Sequence, residues 1–143
     1  MNSQSNKERR GTSEVPQTIK VTMPKRILIV DDEPQLVEMV KMRLEANNYE
    51  VIVAHDGMEA LEKARKGEPD LIILDLMLPK LDGYQVCRML KFDRALSKIP
   101  IIMLTALGKK EDREWGKKVK ADAYIIKPFN AEELLERVAG LIK

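Results

Sequence analysis

Strand-length runs of Ile, Leu, Val and Met recur along this chain with helix-length stretches between them, and no other feature narrows the fold so far. Five runs read as strands: 26–30, 50–54, 71–74, 99–104 and 123–126. Three are nearly continuous in apolar residues rather than alternating, as strands covered on both faces of a parallel sheet must be. Aromatic residues are only 4% of the chain, so the core has to be assembled from Leu, Ile, Val, Ala and Met. The 143 residues suit one domain better than two.

Helical patterns fill the gaps. The first begins near Glu33, with Pro34 in the first turn and Leu36, Val37, Val40 and Leu44 as its stripe. The second opens on Asp56 with Glu59 three residues on, the spacing of a capping box. Its inner face is Ala60, Leu61 and Ala64, and Gly67 and Pro69 end it. The third covers about 83–92, with Val86, Cys87 and Leu90 inward. The fifth follows Asn130, with Leu134, Leu135, Val138, Leu141 and Ile142 on its buried side. The fourth, over 109–120, has only Trp115 and Val119 as sizeable apolar groups and carries Gly116 inside, so a weakly anchored helix is expected there. Strands and helices in alternation predict an α/β fold, an open parallel sheet with right-handed crossovers.

Charge bounds the partners. Residues 1–22 are polar and read as a flexible N-terminal tail, with one domain over 23–143. Lys7, Arg9, Arg10 and Lys20 against Glu8 and Glu14 account for the whole net charge of +2. The remainder is balanced, so no direct nucleic acid binding is expected, and the lysines at 109, 110, 117, 118 and 120 read as a solvated face. The single cysteine, Cys87, fits a small buried hydrophobe in a reducing compartment. The sequence has neither a membrane-length apolar run nor a signal-peptide stretch, and the expectation is a cytoplasmic protein with no membrane partner. His55 has no matching ligands nearby and reads as a surface residue.

Chemistry collects at the strand ends. Asp31 and Asp32 follow the first strand, Asp75 ends the third, Thr105 the fourth, and Lys127 follows the fifth. Open α/β sheets bind ligands at that carboxyl edge. An aspartate after one strand is usually a cap; five such residues at one edge are a set. Clustered carboxylates repel unless a cation sits among them, and Mg²⁺ takes such oxygen ligands. Lys127 offers a point charge and Thr105 a hydroxyl for phosphoryl oxygens, leaving Asp75 as a carboxylate nucleophile. Positioning and charge neutralisation are what phosphoryl transfer mainly needs.

The segments 27–34 (Ile-Leu-Ile-Val-Asp-Asp-Glu-Pro), 74–79 (Leu-Asp-Leu-Met-Leu-Pro), 82–83 (Asp-Gly), 104–106 (Leu-Thr-Ala) and 127–129 (Lys-Pro-Phe) resemble the response-regulator receiver family across 25–143. The resemblance implies a flavodoxin-like doubly wound, five-stranded parallel sheet of order 2-1-3-4-5 with five helices. It implies Asp75 as the phosphoacceptor, and Asp31, Asp32, Asp75 and the backbone carbonyl of Met77 as Mg²⁺ ligands. Thr105 and Lys127 match the phosphoryl-sensing pair, and Tyr124 the aromatic that turns inward when Thr105 moves. A histidine kinase or histidine phosphotransfer protein is the implied donor. The implied output is a downstream protein partner, or a homodimer formed on phosphorylation, through the face of the fourth helix, fifth strand and fifth helix. The chain would be a signalling phosphoacceptor rather than an enzyme. Two departures, Lys120 where the family often has glycine and Lys117 where it is usually apolar, fall on the fourth helix rather than the site. Met77 and Leu107 flank the position where water must attack, which suggests slow self-dephosphorylation.

The sequence stops just after the fifth helix, so the leading expectation is a switch without a fused output domain. The alternatives are a fragment of a larger response regulator or hybrid kinase, and a degenerate receiver acting only as a binding module; the full site set argues against the latter. A phosphatase of the haloacid dehalogenase type would need a second aspartate where Met77 stands.

Overall fold

The computed structural model describes residues 23–106 and 121–142. The expected tail over 1–22 and the expected helix over 109–120, with Leu107, Trp115, Lys117 and Lys120, lie outside the described residues. Within them the chain runs β1 (Arg26–Val30), α1 (Pro34–Ala46), β2 (Glu50–Ala54), α2 (Gly57–Gly67), β3 (Leu71–Asp75), α3 (Gly83–Phe92), β4 (Ile101–Thr105), β5 (Ala123–Ile126) and α4 (Ala131–Leu141). The last is the helix read from the sequence as the fifth. All five strands are parallel in the order β2-β1-β3-β4-β5.

Alternation along β1 shows how the two layers form. Leu28 and Val30 point to one face and pack with Ala60, Leu61 and Ala64 of α2 and Val86, Cys87 and Leu90 of α3. Ile27 and Ile29 point to the other and pack with Val37, Val40 and Leu44 of α1 and Leu134 and Val138 of α4. Every residue of β3 and β4 is buried, which is why those runs carry no polar alternation. Of the residues assigned to the inner side of α4, Leu135, Leu141 and Ile142 are only half-buried.

Three local expectations shift, each for a physical reason. β4 starts at Ile101 rather than 99, because the Ile99 N–H is spent on a turn to Leu96 O (3.1 Å) and Pro100 has no N–H to give. At α2, Asp56 caps as expected, accepting from the Glu59 N–H (2.8 Å). The Glu59 carboxylate, however, reaches back to the His55 N–H (2.7 Å) rather than to that of Asp56. A reciprocal capping box stands instead at α3, between Asp82 and Gln85. The left-handed residue ending α2 is Glu68 (φ 49°), not a glycine. Arg26 Nη1 donates to the Gly67 carbonyl (2.5 Å) and satisfies that helix end from the start of β1.

Candidate functional site

Strand register brings the polar residues together. Val30 pairs with Leu74 across β1 and β3, so Asp31 and Asp75 occupy the next step on adjacent strands. Thr105 pairs with Ile126 across β4 and β5, so Lys127 emerges one residue past Thr105. The order reverses between β1 and β3, which opens the crevice at this edge. Loop backbones are held close: the Asp31 N–H donates to Ala54 O (3.1 Å), and the Lys127 N–H to Thr105 O (2.6 Å). After β3, the Gly83 N–H donates to Leu76 O (2.8 Å), and a Cβ on Gly83 would run into the Asp75 carbonyl oxygen. Only glycine lets α3 begin this close to the phosphoacceptor candidate.

Asp31, Asp32 and Asp75 each present a carboxylate oxygen within 4.8 Å of the others. Asp31 and Asp75 are buried, whereas Asp32 is exposed. The Lys127 ammonium lies 3.2 Å from Asp31 Oδ2 and 3.4 Å from Asp75 Oδ1. Asp75 Oδ1 also accepts from the Met77 N–H (3.2 Å), while the Met77 side chain points into solvent. Burial, and then the neighbouring Asp31 charge, push the Asp75 carboxyl from its ordinary 3.8 up to about 6, against the pull of Lys127. Burial likewise raises Asp31. For Lys127, burial alone would pull the ammonium down, but Asp75 and Asp31 outweigh it and its pKa is raised.

These energetics carry a chemical meaning. One ammonium faces three clustered carboxylates, two of them cut off from water. A hard divalent cation is the group that such an all-oxygen set fits, since it would cancel the repulsion that Lys127 leaves.

Thr105 is buried at the end of β4. Tyr124 pairs in register with Met103 and packs half-buried against the same core face as Met103, two residues before Thr105. All the residues singled out from the sequence therefore gather at one edge, with Tyr124 one step behind it. His55 stays at the surface and Cys87 in the core, where burial pushes its thiol up to about 11.

The sequence reading missed one participant. Glu33, taken there as the start of α1, places Oε1 3.2 Å from Lys127 Nζ. The signal was present: it is the third consecutive acid in Asp-Asp-Glu, directly after the strand that delivers the first two.

A doubly wound parallel sheet with an acidic trio and a lysine at its carboxyl edge defines a class of α/β domains whose site suits a divalent cation. More particularly, the response regulator receiver domain model matches residues 27–139, and the chain belongs to that family. It is 47% identical over 118 residues to the DNA-binding dual master transcriptional regulator RpaA of Synechocystis sp., covering 82% of this chain and 49% of that protein. It is 46% identical over 121 residues to the alkaline phosphatase synthesis transcriptional regulatory protein PhoP of Bacillus subtilis, covering 85% and 50%. The chain thus spans about half the length of these curated relatives. Among solved structures it resembles the receiver domain of a sensor histidine kinase from Pseudomonas aeruginosa. The likeness is 31% identity and a TM-score of 0.77, covering 82% of this chain and 97% of that one; that protein holds magnesium in its active-site cleft.

Proposed function

We propose that this receiver takes a phosphoryl group onto Asp75 from a histidine kinase or histidine phosphotransfer protein. The observation that supports this most is the buried Asp75 carboxylate, 3.4 Å from the Lys127 ammonium and within 4.8 Å of both other carboxylates. Asp31, Asp32, Asp75 and the Met77 carbonyl would hold Mg²⁺, which when bound would neutralise charge on the transferring phosphoryl group. A carboxylate oxygen of Asp75 attacks phosphorus as the donor's bond to it breaks, leaving an acyl phosphate. Lys127 pairs with a phosphoryl oxygen, and burial of Asp75 keeps bulk water from the new acyl phosphate.

Thr105 and Tyr124 are the proposed readout. The Thr105 hydroxyl moves to the phosphoryl group, and the Tyr124 ring follows into the space released on the shared face. The surface around β5 and α4 is then remodelled, for a downstream protein partner or a second phosphorylated copy. Phosphorylation acts only through its differential interaction with the two states.

The DNA-binding relatives favour a receiver governing an output that lies outside this chain's globular part, as in a larger response regulator. The balanced charge outside the tail supports a receiver that makes no direct nucleic-acid contact. The chain serves as a signalling phosphoacceptor, an enzyme only toward its own aspartyl phosphate, and the cytoplasm is its proposed location. No helix among the described residues is long and apolar enough to cross a membrane.

Incubation with acetyl phosphate, followed by intact mass, tests the reading. One adduct is expected that requires Mg²⁺ and is absent from Asp75→Asn. Absence of an adduct in a folded wild type with Mg²⁺, using both acetyl phosphate and a phosphorylated kinase, would overturn it.

A further inference from the structure

The proposed reaction requires Lys127 to meet a phosphoryl oxygen, yet its ammonium is already committed. Nζ lies 3.2 Å from Asp31 Oδ2, 3.2 Å from Glu33 Oε1 and 3.4 Å from Asp75 Oδ1. An ammonium has three N–H groups, so three carboxylates match its full donor capacity. A phosphoryl group on Asp75 inherits that carboxylate's place at the ammonium, and because it brings several charged oxygens, any further contact it makes with Lys127 displaces another carboxylate.

The three differ in how easily they can. Asp31 is fully buried, and its other oxygen accepts from the Glu33 N–H (2.9 Å). Asp75 is buried, and its place at the ammonium passes to the phosphoryl group it carries. The Glu33 side chain is 61% exposed and can turn into water without stranding a buried charge.

Its placement leaves the carboxylate free for this role. Glu33 occupies the N-cap position of α1 and makes no side-chain bond to the first turn, as suits a residue outside the usual Ser, Thr, Asp and Asn caps. The carboxylate is drawn instead to a lysine 94 residues away.

We propose that Glu33 is a removable latch on Lys127, holding the ammonium while Asp75 is unmodified and releasing it to the phosphoryl group. This inference rests on the phosphoacceptor reading and adds to it a regulator of the same site. The latch opposes phosphorylation, because an ammonium paired with Glu33 has one N–H fewer and less uncompensated charge to offer the transferring group. A partly exposed ion pair is worth a factor of about two to five in an equilibrium, and that is the expected scale of its effect.

The test measures initial rates of adduct formation with acetyl phosphate and Mg²⁺ on the full chain, as wild type, Glu33→Gln and Asp75→Asn. Gln keeps the shape of Glu33 and loses its charge. Glu33→Gln is expected to react about two- to fivefold faster, with the ratio approaching one at high salt as the wild-type pair is screened. A second measurement does not depend on phosphorylation. Melting temperatures in chelator for wild type, E33Q, K127M and the double variant should be non-additive, because the effect of E33Q requires the lysine. A Glu33→Gln rate equal to or below wild type, or additive melting shifts, overturns the latch. An adduct that persists on Asp75→Asn overturns the phosphoacceptor reading itself, whatever Glu33 does.

Discussion

Asp75→Asn should make the metal-free domain more stable. Burial and the Asp31 charge raise the Asp75 pKa from 3.8 to about 6, so in the absence of metal the folded state holds this group ionised at a cost. A shift of roughly two units corresponds to about 3 kcal/mol once the group is fully ionised. The sign follows from linkage. A carboxyl whose folded pKa is raised contributes stability that is fully present below its unfolded value, and loses it as pH climbs through the folded value. The wild-type deficit therefore opens between about pH 4 and 6 and is essentially complete at about pH 7. Asn is close in shape and carries no charge, so it escapes the penalty. Urea denaturation in chelator should find the variant up to about 3 kcal/mol more stable near neutrality, roughly 10 °C in melting temperature, with the gap closing as pH falls toward 4. Mg²⁺ should then stabilise wild type by mass action and the variant much less. A variant no more stable than wild type in chelator, or a gap that ignores pH, refutes the argument that burial and the neighbouring Asp31 charge poise this site.

Two glycines should respond in opposite directions. Gly83→Ala forces a Cβ into the Asp75 carbonyl and to 2.7 Å from Leu76 Cα, and should cost about 1–3 kcal/mol while slowing adduct formation. Gly140→Ala meets nothing within 4 Å in α4 and should stabilise by roughly 0.5–1 kcal/mol, read from the same denaturation curves. Lys91→Met removes an ammonium that holds Ile99 O (2.9 Å), Ser97 O (3.3 Å) and Asp122 Oδ2 (3.1 Å), and should lower stability by about 1–3 kcal/mol. Asn130→Ala deletes the cap on the Glu133 N–H (2.7 Å) and should cost about 1 kcal/mol, with faster amide exchange confined to the first turn of α4.

What could be read from the sequence was what local pattern controls. The unbroken apolar runs of β3 and β4 announced strands buried on both faces, and Asn130 with Glu133 announced a helix start. Asp31, Asp75, Thr105 and Lys127 were legible because strand ends fall at one edge of a parallel sheet, a consequence of topology rather than of side-chain detail. Harder to see was anything set by reach across the fold. Glu33 has the sequence position of a helix cap, and only folding shows that its carboxylate finds Lys127 instead. Glu59 likewise bonds one residue earlier than a capping box predicts, and Glu68 adopts a left-handed conformation beside a carbonyl that Arg26 satisfies from another element. Lys91 and Asp122 form a clasp between α3 and the start of β5 that no short-range pattern signals.

In the proposed reaction the phosphoryl group resides on residue 75 itself. Borohydride reduces an acyl phosphate but spares a free carboxylate, so protein treated with acetyl phosphate and Mg²⁺, reduced, digested and sequenced by mass spectrometry locates the acyl phosphate directly. The prediction is homoserine in place of Asp75, only when Mg²⁺ was present, with Asp31 and Asp32 unchanged. Reduction at Asp31 or Asp32, or an adduct that resists borohydride because it sits on another kind of side chain, would contradict it.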